Sequence, residues 1–193
     1  ARAVAEPGAQ FRYGPEPFQI FGEVLSRKLK RAGRPADPSL WLDQRLLQGL
    51  DASPSGWVRG EDGQPLLAQG AQFTARRWAR LGQWAMDGAK GVDPEVVKLW
   101  YEPTAANPGY GLSWWLLRPG LVAPSPRAGV NAATIGAFAT TEDIVMAAGA
   151  GFQRLYLCRK RGLVVVRQAN RILQQMQEGS PFRDGEFLEV LLG

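Results

Sequence analysis

The sequence predicts an α+β protein, with helices through the first half, an antiparallel sheet after residue 109 and a helix closing the chain. Three observations predict it. Apolar residues recur at helical spacing behind proline, aspartate and threonine start signals up to about residue 100. The stretch Ile144 to Gln168 is crowded with β-branched, aromatic and aliphatic residues. Its two arms, ending in Q-R-L-Y-L-C and formed by L-V-V-V-R-Q, read as strands joined through Arg159-Lys160-Arg161-Gly162. Strand and helix patterns do not alternate, so the sheet is not built from βαβ units.

In chain order, a polar lead is followed by Pro15 and Pro17. Prolines disfavour helix before them and suit a helix start, so a helix is expected from Pro17 to about Arg31. Phe18, Ile20, Phe21, Val24, Leu25 and Leu29 would give it a broad apolar face, and Gly33 stops it. A second helix follows Asp37-Pro38-Ser39 and carries Leu40, Trp41, Leu46, Leu47 and Leu50. Trp57-Val58 and Leu66-Leu67 flank Gly60-Glu61-Asp62-Gly63, a small hairpin or wide turn. Thr74 caps a third helix bearing Trp78, Leu81, Trp84 and Ala85, and Asp93-Pro94-Glu95 opens a fourth with Val96, Val97 and Trp100. Tyr110 to Leu117 reads as a strand, residues 121–134 as a Pro/Gly/Ala loop and Ile135 to Phe138 as a short strand. Ile172 to Glu178 and Asp184 to Leu192 have helical spacing. Ala147-Ala148-Gly149-Ala150-Gly151, before the first arm, offers almost no side chain. Such a run is either a bulge at a crowded sheet edge or a place where another group approaches the backbone.

Composition narrows the chemistry. With 193 residues and 45% apolar content the chain can bury a sizeable core. The net charge is +5, but the densest basic cluster, Arg27-Lys28-Leu29-Lys30-Arg31, falls at the end of the first helix. There it complements the helix dipole, and no nucleic-acid partner is expected. No apolar run reaches about 18 residues, so no membrane span is expected. There is no histidine and one cysteine. Ser-His-Asp and Cys-His catalysis, histidine-based zinc sites and an internal disulfide are therefore excluded within this chain, and nothing calls for a cofactor or metal. Cys158 stands in an apolar strand pattern, where a buried inert thiol is expected. Any general base must be a carboxylate, a lysine, a tyrosine or water.

Four stretches, in order, carry a resemblance: F-R-Y-G-P-E-P-F-Q-I-F-G-E-V-L from Phe11, G-A-Q-F-T-A-R-R-W-A-R-L-G from Gly70, Y-G-L-S-W-W from Tyr110, and A-A-G-A-G-F-Q-R-L-Y-L with G-L-V-V-V. Together they resemble the serine β-lactamase and penicillin-binding-protein-like hydrolases, nearest the class C β-lactamase-like esterases, amidases and D-amino-acid peptidases. The resemblance implies a β-lactamase/transpeptidase-like fold with an antiparallel sheet flanked by helices. Residues 1–193 would be the C-terminal portion of one domain, with 1–109 the mainly helical region and 110–193 the sheet region and closing helices.

It also implies three chemical elements. The nucleophile is the serine of S-x-x-K, whose lysine lies one helical turn on and takes the hydroxyl proton. This chain lacks it: Lys28, Lys30, Lys90, Lys98 and Lys160 are preceded at three residues by Leu25, Arg27, Asp87, Glu95 and Leu157. The resemblance therefore implies an upstream segment of roughly 100 to 200 residues, or a partner chain, that carries S-x-x-K. The second element is the tyrosine of a Y-x-N-like motif. Tyr13 would be the catalytic proton shuttle, with Pro15 where relatives carry an amide. The third is K/H-T/S-G on the sheet edge. Gly149-Ala150 is the match, the Ala150 N–H would complete the oxyanion hole, and the cation and hydroxyl of that motif are absent. Trp114 and Trp115 would line the cleft or pack behind the edge strand, and Gly151 and Phe152 would border the substrate. The implied substrate is a small-molecule ester or amide. A non-catalytic, penicillin-binding-like binding module is the alternative.

Overall fold

The computed structural model describes residues 5–118, 142–170, 172, 174 and 182–193. The loop expected over residues 121–134, the strand at Ile135 to Phe138 and the helix from Ile172, Ile172 and Gln174 apart, lie outside them. The chain divides into two units, one formed by residues 14–81 and the other by residues 1–13 with 82–193.

In the unit of residues 14–81, helix α1 spans Glu16–Arg31 with Pro17 in its first turn and Lys28, Lys30 and Arg31 in its last. Gly33, at φ +66°, ends it. The face it buries differs from the expected one. Gly22, Ser26 and Leu29 are buried, whereas Ile20, Phe21 and Val24 stand 49%, 61% and 46% exposed. Gly22 explains this: a Cβ there would lie 2.8 Å from Leu67 Cδ1, so the bare backbone admits Leu67 and turns the larger side chains outward. Asp37 caps α2, Pro38–Leu42, accepting from the amides of Ser39 at 2.8 Å and Leu40 at 3.2 Å. The helix continues through a π turn, Asp43–Leu47, and a 3₁₀ turn, Gln48–Leu50. Strands β1, Gly56–Trp57, and β2, Ala71–Gln72, pair antiparallel. Between them the expected turn closes through Gly60 N–H to Gln64 O at 2.9 Å and Leu66 N–H to Val58 O at 3.0 Å.

Helix α3, Ala75–Met86, starts on Thr74, whose Oγ1 accepts from the Arg77 amide. From Gly82 onward it belongs to the second unit. There a Cβ on Gly82 would come within 2.7 Å of Leu155 Cδ1 and 2.8 Å of Val164 Cγ1, so the helix backbone rests directly on the sheet. Asp93 caps α4, Pro94–Trp100.

The sheet of this unit has four antiparallel strands in sequence order. They are β3, Trp115–Leu116; β4, Ile144–Gly149; β5, Gln153–Cys158; and β6, Leu163–Arg167. Two expectations change here. The strand read over Tyr110 to Leu117 shrinks to its end, because Gly111 N–H turns back on Trp114 O at 2.8 Å and Ser113 takes φ +69°. Ala147, Ala148 and Gly149, read as a lip before the first arm, are themselves strand. Paired in register from Ile144↔Cys158 to Gly149↔Gln153, they gain from the ladder with β5 what alanine and glycine lack in propensity. Alternate residues Ile144, Met146 and Ala148 of β4, with Tyr156 and Cys158 of β5, face helix α5, Asp184–Leu192. Its Leu188 and Leu192 close the core, joined by Trp115 and Leu117. Among the described residues, β6 is an edge strand and no helix is long and apolar enough to cross a membrane.

Cys158 lies fully buried in this core, and burial, the largest cause, pushes its thiol up to about 11, so it stays protonated at neutral pH. A thiol-reactive dye should modify the protein only after denaturation. Cys158→Ser should cost about 1–3 kcal/mol in urea unfolding, the cost of burying a hydroxyl, without changing any activity. Rapid labelling of the folded protein would contradict this placement.

Candidate active site

Tyr13 is held on the sheet by rings. Its centroid lies 5.1 Å from Trp115 and 5.9 Å from Tyr110, and Phe11 lies 5.0 Å from Tyr110 and 6.1 Å from Trp115. The Tyr13 hydroxyl donates to Ala148 O at 2.6 Å, joining positions 135 residues apart in sequence. The tyrosine motif and the small-residue run, each singled out in the sequence, thus meet at one point. Burial raises the Tyr13 phenol above its ordinary value; the Trp115 indole and the charge of Arg154 act in the opposite direction and do not cancel it. Tyr13 therefore keeps its proton at neutral pH.

Trp115 is 1% exposed and packs behind the sheet, one of the two roles its sequence position allowed. Its buried Nε1–H makes no hydrogen bond of regular geometry among the described residues. Trp114 points elsewhere. Its ring stands 6.4 Å from Trp100, which in turn neighbours Trp84 and Tyr101, and it is not part of the ring cluster around Tyr13.

After Ala148 the chain reverses through Gly149 and the turn Ala150–Phe152 into β5. Gly151 adopts φ +64°, and a Cβ there would meet Ile172 Cα at 2.9 Å, so only glycine fits. Phe152 also has positive φ, +60°, a conformation that costs a side-chain-bearing residue about 1–2 kcal/mol. Neighbours hold the turn in place. Arg167 Nη1 donates to Phe152 O at 2.6 Å, and Gln153 exchanges two hydrogen bonds with the Ala169 backbone. Ala150 is exposed at the tip, whereas Gly151 is buried.

One group in this region was missed in the sequence. Arg154, Asp184 and Tyr156 are all fully buried or nearly so. Arg154 Nε donates to Asp184 Oδ1 at 2.8 Å and Nη2 to Oδ2 at 3.4 Å, while the Tyr156 hydroxyl donates to the same carboxylate at 2.5 Å. Arg154 Nη1 reaches Gln153 O at 3.1 Å and Gly149 O at 3.3 Å. Burial and the neighbouring Asp184 charge together push the Tyr156 phenol far up, so it serves as a donor. The available signal was an arginine inside the apolar strand Gln153–Cys158, two residues before a tyrosine and so on its face.

Compared with solved structures, the chain is similar to that of a "putative beta-lactamase" from Bacteroides dorei DSM 17855, with a TM-score of 0.52 and 17% identity over 87% of this chain. The fold is β-lactamase-like. The chain spans about half of that protein, 54% of its length. No family model and no curated protein matches the sequence.

Proposed function

We propose that residues 1–193 supply the tyrosine and the oxyanion edge of a serine hydrolase that cleaves an ester or small amide through an acyl-serine intermediate. The S-x-x-K would come from an upstream segment or a partner chain. The observation that supports this reading is the bond from the Tyr13 hydroxyl to Ala148 O, which ties the tyrosine motif to the strand leading into Gly149-Ala150. In this mechanism the serine Oγ attacks the carbonyl carbon as its proton passes to the lysine. The Ala150 N–H receives the negative oxygen, and Tyr13 relays the proton to the leaving alkoxide or amine as the C–O or C–N bond breaks. Water then attacks the acyl-serine and returns the proton. Since burial holds the Tyr13 proton, the relay needs the lysine ammonium close by to ease its release. The exposed Ile20 and Phe21 on α1, and the β6 edge, are surfaces of the kind an additional segment covers.

Two observations favour the binding-module reading. Pro15 replaces the amide of the tyrosine motif, and no cation or hydroxyl stands at Gly149-Ala150. Labelling of the complete protein with a fluorophosphonate, read by peptide mass spectrometry, separates the two. The hydrolase reading expects one adduct, on the serine of an S-x-x-K outside residues 1–193. No adduct, with reversible binding of a small ester or amide retained, would leave the binding module.

A further inference from the structure

We infer that Arg154 is a positioning residue for the oxyanion edge, its guanidinium fork fastening the carbonyls on both sides of the Gly149–Gln153 reversal to the start of α5. The oxyanion role of that edge rests on the hydrolase reading; the fastening itself stands on geometry. Arg154 is wholly buried, and its planar fork divides its donors. Nε and Nη2 face Asp184, the first residue of α5, and Nη1 faces Gly149 O and Gln153 O at 3.3 and 3.1 Å. The same guanidinium lies 5.3 Å from the centroid of the Phe152 ring.

The turn has two successive positive-φ positions, Gly151 and Phe152, and Phe152, whose ring lies 6.1 Å from that of Phe182, is its one large side chain. The direction of the Ala150 N–H is then set by whatever fixes the carbonyls around it. An oxyanion donor displaced by about 1 Å forfeits much of its contribution, on the order of 100-fold in rate. In relatives a lysine or histidine begins the edge motif. Here the cation comes from the next strand and acts through the backbone rather than on the substrate.

A buried ion pair can often be replaced by apolar side chains of similar volume without loss of stability. The test therefore uses the triple variant Arg154→Met/Tyr156→Phe/Asp184→Leu in the complete protein, with Arg154→Lys as a second variant should the triple not fold. Lysine keeps the charge and loses the fork. Three quantities are measured: melting temperature, amide exchange of residues 149–153, and kcat and KM for p-nitrophenyl acetate. The expected result is a melting temperature within a few degrees of wild type, exchange at 149–153 faster by about 10-fold or more, and kcat lower by about 10-fold or more at little-changed KM. Unchanged exchange at 149–153 in either folded variant overturns the inference, whatever the turnover. Faster exchange with kcat unchanged would keep the fastening and overturn its positioning role. Faster exchange in a protein whose wild type cleaves no ester would uphold the fastening and remove the hydrolase reading.

Discussion

Tyr13→Phe in the complete protein is expected to lower turnover of a chromogenic short-chain ester by about 100-fold or more, at a melting temperature within a few degrees of wild type. The two halves of this expectation have different sources. The stability half follows from the packing: the phenylalanine ring keeps the contacts with Trp115 and Tyr110, and only the bond to Ala148 O is lost. A single neutral hydrogen bond contributes about 0.5–1.5 kcal/mol net, rising to about 3 if the carbonyl is left buried and unpaired. The activity half follows from the proposed relay, in which Tyr13 passes the proton to the leaving group. Arg154 is held by Asp184, and burial raises the Tyr110 phenol. Steady-state kinetics on ester and on amide substrates decides it, and unchanged turnover would remove Tyr13 from the chemistry.

The second large effect concerns stability. Asp184→Ala should cost about 3–5 kcal/mol in urea unfolding, because it leaves the wholly buried Arg154 guanidinium without its counter-ion. It also strips the Tyr156 hydroxyl of its acceptor. Surface pairs give the scale. Arg27–Glu23 and Lys98–Glu102 are largely solvated, and pairs of that kind contribute about 0.3–0.5 kcal/mol. A loss below about 1 kcal/mol for Asp184→Ala would mean that Arg154 reaches water or another carboxylate, and the buried triad would not be the keystone of this unit.

Much of the fold was legible because its signals are local. Proline and aspartate mark α1, α2 and α4 within a residue of where they begin, since caps and N1 prolines act over one turn. The Asp184 to Leu192 helix and the strands around Arg159–Gly162 were read for the same reason. What was not legible depends on partners distant in sequence. Ala147 and Ala148 are strand only because β5 pairs with them, and the outward turn of Phe21 depends on Leu67 finding Gly22. In the site, Tyr13 and Gly149-Ala150 were named from motif resemblance, and the Tyr13 hydroxyl bonds to Ala148, the residue before that pair; that they act on a substrate is a proposal. The Arg154–Asp184 pair escaped because each residue had a satisfactory local explanation, one in a strand and the other at a helix start.

The Tyr13 bond has a consequence for the order in which the molecule forms. Strands β4, β5 and β6 occupy residues 144–167 and need only short reversals to find one another. Tyr13 must cross 135 residues to reach Ala148. By the logarithmic growth of loop-closure entropy, that costs about 3 kcal/mol more than closing a five-residue reversal. One hydrogen bond does not cover the difference. The encounter of Phe11 and Tyr13 with Tyr110 and Trp115 must supply it, and those rings find a surface only after the meander has formed. Local contacts are thus expected first and the non-local docking of the leading segment after them, so the Tyr13–Ala148 contact is acquired at the end of folding, not inherited from its nucleus.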